Sequence, residues 1–329
     1  APAADRRLMR WTAPAVLISL AAPVAASDFV LGLPIDCTLG ETCYIQQYMD
    51  RDPGPDARDY ICGGLVYDGH KGTDFALPTH KAMENGVNVI ASAPGTVTGL
   101  RDGVTDRVYS EVNANAVAGR ECGNGVVLRH ENGYETQYCH MKSGSVTVTQ
   151  GQVVERGEVL GQVGMSGKAE FPHVHLSVRR NSREIDPFDP DMTEACGNGG
   201  RTLWQAPPPY QAGGLIYIGF AAGVPPYEAV QRGNAAHERI APNARGLVLF
   251  GFAYGGVTGD VMELRITGPG GEVIDHRETL DRAQAQFYRA AGKRLTAERW
   301  PAGAYSGTVT LIRRGKQVDS RSIEMTIPE

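Results

Sequence analysis

From Val87 to Val178 the chain advances in short runs of alternating apolar residues broken by glycine-containing turns: "VNVIASAPGTVTGL", "NGVVLRHENGYETQYCHM" and "GSVTVTQGQVVERGEVLGQVG". A period of two puts every second side chain on the same face of a sheet. Asn132-Gly133, between "GVVLRH" and "YETQYCHM", marks a hairpin, because both residues tolerate the positive φ of a tight turn. The pattern predicts an all-β, antiparallel structure with almost no helix. Residues 101–124, "RDGVTDRVYSEVNANAVAGRECGN", interrupt it as a longer polar insertion expected on the surface.

The 329 residues leave room for two domains, and 41 Gly with 20 Pro suit strands and turns. Residues 197–214 contain "GNGG" and three consecutive prolines, Pro207 to Pro209, which block strand pairing and predict a semi-rigid linker. The expected units are therefore 27–196, with its core at 60–180, and 215–329. The second again reads as strands, with "GPGG" and "RRGKQ" where hairpin turns belong, and predicts a β-sandwich of immunoglobulin-like type. Within it "TLDRAQAQFYRAAGKRLTAERW" fits either an amphipathic helix or a strand pair.

The first residues, "DRRLMRWTAPAVLISLAAPVAAS", have a basic start, a short apolar run and the small-residue site Val24-Ala25-Ala26 before Ser27. They predict a signal peptide over 1–26, with Met9 and Arg10 as an alternative start. A membrane anchor is the competing reading; the run is short and holds Pro14 and Pro23. No other segment is long and apolar enough to span a bilayer. The six cysteines, Cys37, Cys43, Cys62, Cys122, Cys139 and Cys196, contain no CxxC spacing, so disulfides in an exported chain are favoured over a thiolate metal site. Six cysteines allow about 15 pairings, which spacing does not resolve. A formal charge of −5 gives no basic footprint for nucleic acid.

Three clusters carry the chemistry: His70 and Asp74 in "DGHKGTDFALP", His140 in "QYCHM", and His173 with His175 in "FPHVHLSV". On a strand His173 and His175 project from one face, their α-carbons roughly 6–7 Å apart. His70 and Asp74 would lie about 13 Å apart in an extended chain; Gly72 between them permits a bend that joins imidazole to carboxylate. Two imidazoles and a carboxylate are a common ligand set for catalytic zinc, which leaves two histidines for proton transfer or for steadying an oxyanion. His80, His130, His237 and His276 have no partners at such spacing and read as surface residues. Neither "GNGG" nor "GPGG" leads into a phosphate loop, and Ser166 in "GMSGK" lacks the nucleophile-elbow spacing.

The series "HKGTD", "YCHM" and "HVH", with "GQVVERGEVLGQVGMSG" ahead of the last, resembles the lysostaphin-type (LytM-like) zinc endopeptidases, peptidoglycan hydrolases with a grooved antiparallel sheet. The likeness covers about residues 60–180. It implies that His70, Asp74 and His175 bind Zn2+, and that His140 and His173 assist the chemistry. This chain has Phe171-Pro172-His173-Val174-His175-Leu176 where the family often has Gly-Pro-His-Leu-His-Phe. The 101–124 insertion, expected to border the substrate groove, and the cysteines are not part of the minimal family pattern. Strand alternation turns Cys139 away from the site if His140 points in. Tyr138 and Tyr67 are candidate substrate-binding aromatics.

The resemblance implies an exported zinc endopeptidase, periplasmic or extracellular, that cuts peptidoglycan stems or cross-links. The bond would lie beside D-alanine and diaminopimelate in a Gram-negative envelope, or in glycine bridges of a Gram-positive wall. The second domain would hold the enzyme to the wall or to another envelope protein. Two alternatives stand beside it: a catalytically silent regulator that activates another wall hydrolase, and a secreted protease acting on proteins. The mature chain is expected to have no membrane span.

Overall fold

The alternating runs form strands: β1 (Tyr44–Gln47), β2 (Thr73–Ala76), β3 (Asn88–Ile90), β4 (Gly95–Arg101), β5 (Asn124–Arg129), β6 (Tyr134–Met141), β7 (Val153–Val154), β8 (Val159–Gln162), β9 (His173–Arg180) and β10 (Arg183–Ile185). The computed structural model describes residues 29–191, 195–197 and 200–329, so the expected signal peptide at 1–26 lies outside the described residues. The main sheet runs β1-β2-β9-β6-β5-β4-β7 with β10 beside β9, and β3 pairs β8 as a separate ribbon. Every pairing between these strands is antiparallel.

Alternation decides the faces. Val126, Leu128, Tyr138, Val174 and Leu176 are sealed in the core with Val89, Leu160 and Val163 from the ribbon side, which leaves His173, His175 and Ser177 for the opposite face of β9. Asn132 and Gly133 both take positive φ between β5 and β6, the turn their chemistry predicts. Helices are short; α1 (His80–Asn85) starts where the Thr79 hydroxyl accepts the Ala82 N–H, and α2 (Ala114–Val117) lies in the insertion. Asp102 and Asp106 lace that insertion to the body by accepting the backbone N–H groups of Gly144, Val146, Ser143 and Met165. No helix among the described residues is long and apolar enough to cross a membrane.

The second unit comprises β11 (Gly214–Ala221), α3 (Tyr227–Arg232), β12 (Gly246–Gly256), β13 (Val261–Gly268), β14 (Gly271–Thr279), β15 (Gln284–Arg294), β16 (Gly303–Arg313) and β17 (Lys316–Ile327). Its sheets are β11-β12-β15 and β14-β13-β16-β17, the strand partition of an immunoglobulin-like sandwich. Leu249, Phe287, Leu264, Ile266, Val309 and Leu311 fill the space between them. The stretch that fitted helix or strands forms β15, paired along its length with β12. Turns fall at "GPGG" and at Arg314-Gly315, as the glycines predict.

The cysteines pair as Cys37–Cys43, Cys62–Cys196 and Cys122–Cys139. The Pro-rich segment is docked: Leu203 and Trp204 are buried, Leu31 N–H donates to the Leu203 carbonyl, and Tyr210 stacks on Tyr48 while donating to Asp59. Ile216, Phe250, Phe252 and Tyr254 of the sandwich share one apolar cluster with Tyr44, Ile45 and Tyr48 of the first unit.

A few residues past β1, Arg51 is sealed from water and reaches Asp186 Oδ2 at 3.2 Å, the Asp189 carbonyl at 3.3 Å and Asp189 Oδ2 at 3.7 Å. One guanidinium thus faces two buried carboxylates. Burial pushes Asp186 from the ordinary 3.8 up to about 6, against the pull of the Phe188 amide and Arg51. The folded chain thus holds more protons than the unfolded one between those values, and stability declines as pH rises from about 4 to about 6, by ~3 kcal/mol in all. Urea unfolding across this window should show that decline in the wild type and lose it in Asp186→Asn; the same slope in both would refute the assignment.

Candidate metal centre and active site

The register of the main sheet aligns Gln47 of β1 opposite Asp74 of β2, Asp74 opposite His175 of β9, and His175 opposite Cys139 of β6. Directly opposed residues on antiparallel strands share a face, so the sheet aims the Asp74 carboxylate and the His175 imidazole at one point. His70 arrives from the turn before β2. A β-carbon on Gly72 would stand 2.6 Å from His175 Nε2 and 2.6 Å from the Leu176 carbonyl oxygen, so glycine is needed there for room.

His70 Nε2 lies 3.2 Å from Asp74 Oδ1 and 3.1 Å from His175 Nδ1, and His175 Nδ1 lies 2.7 Å from the same oxygen. Hydrogen bonds behind the rings decide which nitrogens carry protons. His70 Nδ1–H donates to the Tyr48 carbonyl at 2.6 Å. The Ser177 hydroxyl donates to the Lys71 carbonyl, so it accepts from His175 Nε2–H at 3.0 Å. Both imidazoles therefore turn a bare nitrogen toward a carboxylate oxygen, and three acceptors crowd one point where only a cation or a proton can sit. A tetrahedral metal with bonds of about 2.1 Å separates its ligand atoms by roughly 3.4 Å, close to the observed spacing. The donor set fits a metal ion.

The electrostatics agree. Burial pushes Asp74 up, but His70, His173 and His175 outweigh it and hold the carboxyl well below the usual carboxylate range. Burial pulls His70 down, and the adjacent Asp74 more than offsets that.

The other two histidines face the same cleft. His140 Nδ1–H donates to the Ser166 carbonyl at 2.8 Å, and His173 Nδ1–H donates to the Phe171 carbonyl at 2.8 Å. Each keeps a bare Nε2; that of His173 lies 3.7 Å from Asp74 Oδ1, and the two ring centroids are 4.6 Å apart. Burial, then the His173 and His175 imidazoles, hold His140 well below its ordinary value, and burial lowers His173. All five predicted site residues thus meet in one place.

Several expectations are corrected. Cys139 shares the face of His175 instead of turning away, because Cys139 and His140 together oppose Gly125 in a bulge, and His140 takes φ 63°. The His140 N–H donates to the Cys122 carbonyl beside the Cys122–Cys139 disulfide, which holds this conformation. Tyr138 belongs to the core, its hydroxyl accepting from Ser92 N–H and Thr136, and does not reach the groove. Tyr67 does, with its ring 4.6 Å from that of His70. His130 is buried, not superficial, since the Pro94 carbonyl and the Thr136 hydroxyl satisfy both its nitrogens.

The cleft of about 340 Å³ is also lined by Gln47, Tyr109, Lys168, Phe171 and Ala285. Tyr109 brings the insertion to the groove, as expected. Sequence reading overlooked Ser177 and Gln47. Ser177 stands two residues past His175, so the alternation that joined the histidines extends to it.

Residues 68–187, which include all five, match the model for Peptidase family M23. That stretch is similar to peptidase family M23. Curated relatives match over a stretch of similar length. The DD-carboxypeptidase/endopeptidase Mpg of Neisseria meningitidis is 34% identical over 133 residues, 38% of this chain and 25% of that protein. The peptidoglycan DD-endopeptidase ShyA of Vibrio cholerae is 32% identical over 126 residues, 38% of this chain and 24% of that one. An uncharacterized metalloprotease of Haemophilus influenzae is 33% identical over 119 residues, 36% and 20% respectively. The matched region spans about a quarter of the first two.

The Ser177 hydroxyl accepts from His175 Nε2–H and would orient that imidazole as a metal ligand without itself touching the metal. Ser177→Ala should weaken metal retention by about 10–100-fold in chelator competition while leaving the fold intact; unchanged retention would show that His175 needs no such support.

Proposed function

We propose that this protein is an exported zinc endopeptidase that hydrolyses peptide bonds in peptidoglycan stems or cross-links. The observation that carries the reading is the convergence of three bare acceptor atoms, from His70, Asp74 and His175, in a cleft onto which two further imidazoles open their unprotonated Nε2 atoms. Zinc suits a site of two imidazoles and one carboxylate, and would supply a Lewis acid that polarises the scissile carbonyl and acidifies a water.

The remaining work belongs to the chain. The Ser166 and Phe171 carbonyls hold the His140 and His173 tautomers with Nε2 facing the cleft, and burial favours the neutral rings. One of these nitrogens accepts the proton of the attacking water, and the resulting imidazolium returns it to the leaving amine or steadies the oxyanion. Tyr67 and Phe171 wall the cleft with apolar surface that limits competing water. The relatives named DD-endopeptidases support a D,D-peptide bond as the target. Three disulfides suit an oxidising periplasmic or extracellular setting.

The test is zinc content with peptidoglycan digestion for the wild type, His175→Ala and His140→Ala. Wild type should hold about one zinc per chain and release peptides. His175→Ala should lose metal, and His140→Ala should keep it with turnover reduced by roughly 10²–10⁴-fold. A wild-type chain that holds zinc and cuts neither wall nor protein would instead be the regulator.

A further inference from the structure

Of the five site residues, His140 alone takes a positive φ, 63°. Such a conformation costs a residue with a β-carbon free energy and persists only where its surroundings over-determine it. Ties to the 122–124 segment do so. The Cys122 sulfur is bonded to Cys139, immediately before His140, and the Cys122 carbonyl accepts the His140 N–H at 2.8 Å. Asn124 Nδ2 donates at 3.0 Å to the carbonyl of Met141, immediately after it. The same segment beds Ser166, whose carbonyl fixes the His140 ring: Asn124 N–H donates to Ser166 Oγ at 2.9 Å, and that hydroxyl donates to the Met141 carbonyl at 2.7 Å.

The disulfide is the one covalent tie in this set, and it can be opened without unpairing the strands. It is also within reach. Cys139 is buried, but Cys122 is half-buried and lines a surface depression of about 190 Å³ with Leu100, Arg101, Gly125 and Gln137. Its sulfur accepts from Gln137 Nε2 at 3.4 Å, and Arg101 offers a positive charge to an approaching thiolate. The ligand imidazoles have supports outside this segment, the Tyr48 carbonyl behind His70 and the Ser177 hydroxyl behind His175. Opening the bridge therefore acts on His140 and spares the metal site.

We propose that the Cys122–Cys139 bridge is a redox-dependent positioning element for His140. Oxidised, it holds the left-handed turn that aims His140 Nε2 into the cleft. A dithiol protein reductant opens it: one thiolate attacks the Cys122 sulfur and expels the Cys139 thiolate, and the second thiol then displaces Cys122. The reductant becomes a disulfide, and the two cysteines gain two electrons and two protons. β6 then sheds the strained turn, and His140 leaves its Ser166 partner while the metal stays. This rests on the role proposed above for His140 and adds how that role is regulated.

The test uses the full zinc-loaded chain with Cys122→Ala/Cys139→Ala, and with Cys37→Ala/Cys43→Ala as a control that removes another short-loop bridge. Histidine NMR spectra read the ring tautomers without any turnover. In the first variant the His140 Nδ1–H signal should be lost to averaging, while the His70 signal and the zinc content stay as in the control. Turnover should fall roughly 10–100-fold, the cost of misplacing a catalytic group, with KM unchanged. A bridgeless chain that keeps the wild-type His140 signal overturns the proposal, as does one that loses zinc together with turnover. If the alanine pair prevents folding, graded dithiothreitol with alkylation mapping on the wild type decides. Turnover and the His140 signal must then follow closure of this bridge and return on reoxidation; a His140 signal that persists after the bridge opens overturns the proposal. Absence of cleavage by wild type would sink the endopeptidase reading alone, since the spectra still report on His140.

Discussion

A carboxylate almost sealed from water, Asp74, is the constraint around which the first domain is arranged. A charge removed from solvent is costly unless it is paired and hydrogen-bonded, and here three imidazoles, one from the turn before β2 and two from β9, surround it and leave a point that a cation or a proton must fill. That requirement sets the rest in order. β2 must lie beside β9 in the register that opposes Asp74 to His175, Gly72 must be bare to admit the imidazole, and the Tyr48 carbonyl and Ser177 must stand behind the rings.

Much of this was legible in the sequence, because alternation is a strong signal wherever one face is buried. The main-sheet strands between Val87 and Val178 and the shared face of His173 and His175 follow from a period of two, and the Asn132-Gly133 turn from the chemistry of that pair; β1 and β2 lie outside that pattern. The failures have two causes. Alternation assumes a regular strand, and at His140 a bulge adds a residue, so the expected facing of Cys139 reversed. His130 and Tyr138 were misjudged for another reason: their burial depends on Pro94, Ser92 and Thr136, partners supplied by packing and not by neighbours in sequence. Gln47 lies ahead of every recognised motif and becomes part of the site only through pairing of β1 with β2.

The relation between the two units was the least legible feature. A run of prolines suggests separation, yet Tyr210 next to that run stacks into the first domain, and Phe250, Phe252 and Tyr254 extend its apolar cluster. Proline forbids strand pairing but not docking. Side chains on either side of it determine whether such a segment spans a gap or lies flat against a surface.

The Cys62–Cys196 bridge joins positions 134 residues apart, and His70, Asp74, His140, His173 and His175 all fall inside the loop it closes. Closing so long a loop removes unfolded-state freedom worth roughly 5 kcal/mol in the chain-entropy account. It also makes the catalytic unit a covalent ring. A single proteolytic nick anywhere within that ring opens it without releasing either piece, so the severed halves stay joined and the centre can reassemble as long as the bridge stays oxidised.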